Sequence, residues 1–244
     1  MSRPWPSRSN CERRALSYHK VMRLFALAIC CSVCVLPAAA QPADRLNDAA
    51  ELMAEIMATP DRSIPQELLE KAHCIVVVPG MKKAAFGFGG KYGRGFVTCR
   101  KSGGPGWSAP GAVRMEGGSF GFQIGVSSTD VILLVMNERG MNRLLSSKFT
   151  LGGDASVAGG PVGRSASAQT DAMLSAEILS WSRSRGAFAG VSLEGATLRN
   201  DLDENQALHG KRLENREVVT GGHPVPPAAQ KFIGVLNKYS MRKG

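Results

Sequence analysis

The chain has 244 residues, with 30 Lys and Arg against 20 Asp and Glu, a formal charge of +10. The first forty residues hold six of those basic side chains and one acidic one, so residues 41–244 carry 24 against 19, or +5. So mild an excess argues against a nucleic-acid partner, and the remaining 204 residues are enough for one sizeable domain.

The front of the chain reads as an export signal. Arg23 precedes an apolar stretch from Leu24 to Leu36, and Ala38-Ala39-Ala40 suits a peptidase that requires small residues, so cleavage is expected before Gln41. The stretch has 13 residues, short of the roughly 20 that span a bilayer. Met22 competes with Met1 as the start, and residues 1–21 then read as a basic leader. Cys30, Cys31 and Cys34 follow Ile29, Cys30 and Val33, a poor fit to a lipidation site. The expectation is leader and signal peptide over 1–40, one domain over 41–244, and a workplace in the periplasm or cell envelope.

Past the leader, Arg45 to Thr59 places Leu46, Ala50, Met53 and Met57 at helical spacing, and Pro60 stops the helix. Ser63 with Gln66 three residues on has the form of a capping box for a second, short helix carrying Leu68 and Leu69. Cys74 to Val78 is a strand, and Pro79-Gly80 reads as the turn that closes it. From Ala84 to Arg100, large residues (Phe86, Phe88, Tyr92, Phe96) alternate with small ones, as in strands. Gly103 to Gly106 turns the chain. Ser119 to Val126 alternates again, with Phe120, Phe122, Ile124 and Val126 on one side. Val131 to Met136 is continuously apolar, as in a strand buried on both faces. Asn137 caps a helix running to about Ser147. Ile178–Arg183 and Ala187–Leu198 read as a hairpin, and Pro227–Tyr239 as an amphipathic helix.

All 28 glycines lie beyond residue 41, and 19 of them fall between Gly87 and Gly163, a density incompatible with helix. The order of elements lacks a regular β-α-β alternation. It predicts an α+β fold: a glycine-rich, twisted antiparallel sheet or partial barrel covered by N-terminal, internal and C-terminal helices.

Chemistry is sparse. Residues 41–244 retain Cys74 and Cys99, which can form a disulfide in an oxidising compartment; two buried free thiols are the alternative. They contain no C-x-x-C and no Cys/His cluster with zinc spacing, so no metal and no cofactor are expected. Gly117-Gly118-Ser119-Phe120-Gly121 matches a nucleophile elbow, but that elbow needs a helix after the serine, and a strand pattern follows here. Gly90-Lys91 precedes Tyr92 rather than Ser or Thr, so a phosphate loop fails. The chain is therefore not expected to be an enzyme. One charge pattern remains. No acidic residue occurs between Glu70 and Glu116, while Lys82, Lys83, Lys91, Arg94, Arg100 and Lys101 fall there, interleaved with aromatics. Such a stretch suits an anionic lipid surface; solvated strand ends around a core aromatic stripe are the plainer reading.

The stretches KAAFGFGGKYGRG (83–95), GWSAP (106–110), GGSFGFQIG (117–125), STDVILLVMN (128–137), KFTLGGDASVAGGPVGR (148–164) and ILSWSRSRGAFAGVSLEGA (178–196) resemble the SYLF domain. The resemblance covers about residues 44–240. It implies lipid binding and brings no catalytic constellation; it also implies actin binding for some eukaryotic members. In those members a basic N-terminal amphipathic segment is tied to membranes. The helix here carries Asp44, Asp48, Glu51 and Glu55 against Arg45 alone, and anionic headgroups repel it. The six basic residues of 82–101 are thus the expected headgroup contacts. An exported protein makes actin an unlikely partner, and an envelope protein partner is the alternative to lipid.

Overall fold

The computed structural model describes residues 41–59, 63–101, 104–161, 175–184, 187–188, 193 and 195–240, and at 85–88, 119–125 and 187–188 it describes the backbone alone. Residues 1–40, expected to be an export signal, lie outside the described residues. Among these no helix is long and apolar enough to cross a membrane.

The fold is α+β. Helix α1 (Pro42–Ala58) opens on Pro42, whose fixed φ suits a first helical turn. It buries Leu46, Ala49, Ala50, Met53 and Ile56 as one stripe. Helix α2 (Gln66–Lys71) does not use the expected capping box. Its N-cap is Pro65, with no side-chain cap, and Gln66 instead donates to Glu70 at 3.0 Å.

Two long strands follow, β1 (Cys74–Cys99) and β2 (Gly111–Val135). They pair antiparallel along nearly their whole length, from Cys74 opposite Val135 to Val97 opposite Gly111. Pro79-Gly80 does not turn the chain. The strand runs through it as a bulge, with a register shift between Val78 and Met81. Gly80 takes φ +59° and donates its N–H to Asp130 Oδ1 at 2.8 Å. The partner strand continues past this point and a carboxylate takes the spare donor, so a turn signal becomes a bend.

The paired strands curl until the two ends of β1 meet. Arg100 N–H donates to the His73 carbonyl at 2.8 Å, and Cys74 and Cys99 are joined by a disulfide with their Cα atoms 3.9 Å apart. Gly95 makes the crossing feasible: a Cβ there would lie 2.1 Å from the Val77 carbonyl oxygen. The remaining elements are α3 (Glu138–Leu144), β3 (Lys148–Thr150), β4 (Val157–Gly159), β5 (Ile178–Ser184), β6 (Ala187–Phe188), β7 (Thr197–Asn200), α4 (Leu202–His209), α5 (Asn215–Thr220) and α6 (Gln230–Ser240). The sheet order is β3-β7-β2-β5-β4, with β1 on β2 and β6 on β5. Its one parallel pair among the described residues is β4 with β5.

The curled sheet buries both faces. Ile75, Val77, Ile132, Leu134 and Trp181 pack with Leu46, Met53, Leu69, Phe232 and Leu236 of α1, α2 and α6. Val76, Val78, Val131, Leu133 and Val135 point the other way, toward Phe149, Ile178 and Leu198. This is why CIVVV and VILLV are continuously apolar. Asn137 caps α3 by accepting from Gly140 N–H at 2.8 Å, though the helix stops at Leu144. The expected second arm of the late hairpin divides. Ala187–Phe188 pairs with β5, whereas Thr197–Asn200 pairs with β2 and β3. Helices α4 and α5 have no counterpart in the sequence reading. They start on Asp201, which accepts from Glu204 N–H, and on a capping box between Glu214 and Glu217.

Candidate functional site

The six basic residues of 82–101 separate into groups. Arg94 belongs to a buried ion network. Its guanidinium lies 3.1 Å from Asp201 and 3.7 Å from Glu204, and Arg45 of α1 pairs with Glu204 from the other side. Burial holds the Glu204 carboxyl above its usual range, against the pull of Arg45. Arg100 closes the end of α2. It donates to the Leu69 carbonyl at 2.8 Å and lies 4.0 Å over the Trp107 ring, the favoured place for a cation at a helix C-terminus. Lys101 is exposed, beside Ser108, Thr220 and His223 in a cavity of about 350 Å³.

Lys82, Lys83 and Lys91 all lie on a two-stranded ribbon. Strand β2 meets β7 through 113–116 and β5 through 129–135. Between 117 and 128 its partner among the described residues is β1 alone. Lys82 stands opposite Ser128 and donates to its Oγ at 3.3 Å. Lys83 stands opposite Ser127 and Lys91 opposite Gly117. As sequence neighbours on a strand, Lys82 and Lys83 occupy opposite faces. Lys82 is exposed and the other two are half-buried. Burial, and after it the positive charge of Lys91, hold the Lys83 amine below its ordinary value. No Asp or Glu occurs in 82–91 or 117–128. Two large apolar side chains are exposed at this ribbon, Tyr92 at 46% and Val126 at 76%. The alternation groups Val126 with Phe120, Phe122 and Ile124 on one side; among the described residues no third layer covers it.

Of the aromatics that interleave with the basic stretch, Phe96 and Trp107 are core, and the side chains of Phe86 and Phe88 lie outside the described residues. Ser119 sits inside the unbroken strand β2, opposite Gly89, so the strand-turn-helix of a nucleophile elbow is not formed. Among the described residues no group of three or more His, Cys, Asp or Glu is placed to hold a metal.

Sequence reasoning missed the ion network of Arg45, Arg94, Asp201 and Glu204, whose members lie on three separate elements. The N-terminal helix is more acidic outside than its composition implies. Arg45 points inward, while Asp44, Asp48, Glu51 and Glu55 are exposed. Glu51 pairs with Lys231 at 2.8 Å and Glu55 with Arg183 at 3.0 Å. The exposed carboxylates of α1 do not favour an anionic surface.

The family model described as "Las17-binding protein actin regulator" matches residues 116–239. Among curated proteins, Protein YSC84 of Saccharomyces cerevisiae is 34% identical over 179 residues, 72% of this chain and 38% of that protein. LAS seventeen-binding protein 3 of the same species is 32% identical, over 72% and 39%. The human SH3 domain-containing YSC84-like protein 1 is 31% identical over 182 residues, 74% and 53%. The chain thus spans between 38% and 53% of the length of these relatives, and none of the three names is that of an enzyme. The inference from export that actin is an unlikely partner does not stand beside a family described as an actin regulator. With that family model over residues 116–239 and relatives 34% and 31% identical over 179 and 182 residues, the chain belongs to the Ysc84 (SYLF) family.

Proposed function

We propose that this domain holds anionic phospholipid headgroups at the cell envelope, through Lys82, Lys83 and Lys91. The observation that carries the reading is a ribbon with three lysines and no carboxylate, in which Lys83 already feels the charge of Lys91. A phosphate between those two ammonium groups relieves their repulsion and gains two charge-assisted hydrogen bonds. Each lysine near an anionic surface contributes about 1 kcal/mol. Three of them give useful affinity only to a surface that presents many headgroups at once. The carriers are fewer than the six basic residues of the stretch, because Arg94 and Arg100 are engaged inside the protein and Lys101 lies off the ribbon, beside Ser108, Thr220 and His223. Export before Gln41 would deliver the domain to phosphatidylglycerol and cardiolipin.

The test is co-sedimentation of the protein starting at Gln41 with vesicles. Binding is expected with phosphatidylglycerol or cardiolipin, absent with neutral lipid, and weaker as salt shortens the Debye length below about 8–10 Å. Replacing Lys82, Lys83 and Lys91 with Gln abolishes it at unchanged melting temperature. Binding that ignores both salt and the triple substitution refutes the reading. The family description supports a second reading, a protein-docking module in actin regulation. Sedimentation with actin filaments, insensitive to the triple substitution, would favour it.

A further inference from the structure

Charge alone does not account for the ribbon's outward face. Lys82 opposite Ser128 and Ala84 opposite Val126 lie on one row, two residues apart on each strand. Lys82, Ala84, Val126 and Ser128 are all exposed, and Val126 is 76% exposed. The next pair in register is Phe86 with Ile124. Along that row the sequence passes from a lysine to apolar residues within two pairs. On the other limb, Tyr92 is 46% exposed, with its hydroxyl accepting from Arg94 Nε at 2.9 Å. A β-branched side chain 76% exposed on a strand with no covering layer among the described residues is the feature that adsorption through lysines does not explain.

We infer that this face of the ribbon enters the membrane, seating Val126 below the headgroups while Lys82 stays at their level. The inference rests on the anionic-lipid reading and deepens it. The occupant is an anionic bilayer, selected by charge complementarity with Lys82 on this face and with strand segments, 82–91 and 117–128, that hold three lysines and no carboxylate. Depth follows from the backbone. Between 117 and 128 the ribbon has two strands among the described residues, and no third strand among them takes the N–H and C=O groups of its outer edges. Those groups cannot enter hydrocarbon without water. Insertion is therefore shallow, at the boundary of headgroup and acyl chain, where Tyr is favoured.

Two measurements test this on the protein starting at Gln41, with phosphatidylglycerol vesicles. The first attaches an environment-sensitive fluorophore at Val126→Cys, the native cysteines being buried as a disulfide. Vesicles should shift its emission to the blue and brominated acyl chains should quench it, while the same label at Asp48→Cys on α1 should show neither. The second is Val126→Ser, which keeps the charge. It should weaken binding roughly fivefold, the transfer cost of about a methylene or two, with the slope of affinity against salt unchanged. If vesicles bind but label 126 stays in water and Val126→Ser binds as well as the parent, insertion is overturned and headgroup adsorption stands. If the unsubstituted protein binds no anionic vesicle, both readings fall.

Discussion

Glycine does opposite work in two regions of the same pair of strands. Where β1 crosses itself, Gly93 and Gly95 are contact surfaces. A Cβ on Gly93 would lie 2.7 Å from Val78 Cγ1, and one on Gly95 would lie 2.1 Å from the Val77 carbonyl oxygen. In the ribbon, a Cβ on Gly90 or Gly118 would meet nothing within 4 Å. Charge divides along the same line. Arg94 and Arg100 of the curled body are consumed by carboxylates and helix carbonyls, whereas on the ribbon Lys82 is exposed and Lys83 feels the positive charge of Lys91. Glycine recurs from Gly80 to Gly95 of β1, yet its role changes along the strand. The body uses small residues to bring backbones together, and the ribbon uses them to keep a surface thin.

The sharpest way to break that contrast is a pair of substitutions. Gly95→Ala should destabilise by at least about 3 kcal/mol, because backbone rather than a movable side chain stands in the way. Gly90→Ala should change stability by no more than about 0.5 kcal/mol. Thermal melts of the two variants decide it, and equal losses would show that the ribbon is packed after all.

The disulfide comes next in size. It joins the ends of β1, 25 residues apart, and so holds the curl of the body without touching the ribbon. Replacing both cysteines with Ala should cost roughly 2–4 kcal/mol and leave lipid binding intact at low temperature. Thiol titration of unreduced, unfolded protein from the periplasm should find no free thiol; two free thiols would remove the cross-link from the account.

The smallest effect concerns pH. His209 donates from Nε2 to the Pro110 carbonyl at 2.9 Å, and burial first, then the charge of His223, lowers its pKa. Its folded pKa lies below the unfolded value of about 6.5, so the unfolded chain takes up the proton first. Its contribution is complete above that pH and is lost as pH falls through the interval down to the folded value. The urea midpoint should drop between pH 7.5 and 5, and His209→Gln should flatten part of that drop. An unchanged profile would show that His209 is solvated in the folded state.

Local patterns were legible where one residue decides the outcome. Asn137 announced its helix because a side-chain oxygen three residues before a free N–H satisfies it wherever the chain goes. The apolar run 131–135 announced a strand buried twice over. Pro79-Gly80 misled because the same conformational freedom serves a turn or a bulge, and the choice lay with Asp130, fifty residues away. Helices α4 and α5 were illegible for a related reason. They bury few apolar residues, and Asn205 and Asn215 hold them through the Ala112 amide and each other.

For the candidate site, the sequence by itself determined that basic residues without acidic neighbours fill 71–115, that aromatics interleave with them, and that the family blocks follow in order. These are properties of the chain, present before it folds. Only the tertiary structure decided which charges are held inside the protein. Asp201 and Glu204 reach back across the molecule to take Arg94, the carbonyl end of α2 takes Arg100, and Lys82, Lys83 and Lys91 lie on a ribbon whose segments 82–91 and 117–128 carry no carboxylate. An ion pair is a contact between residues far apart in sequence, and whether a charge is spent or exposed depends on where distant partners arrive when the chain closes.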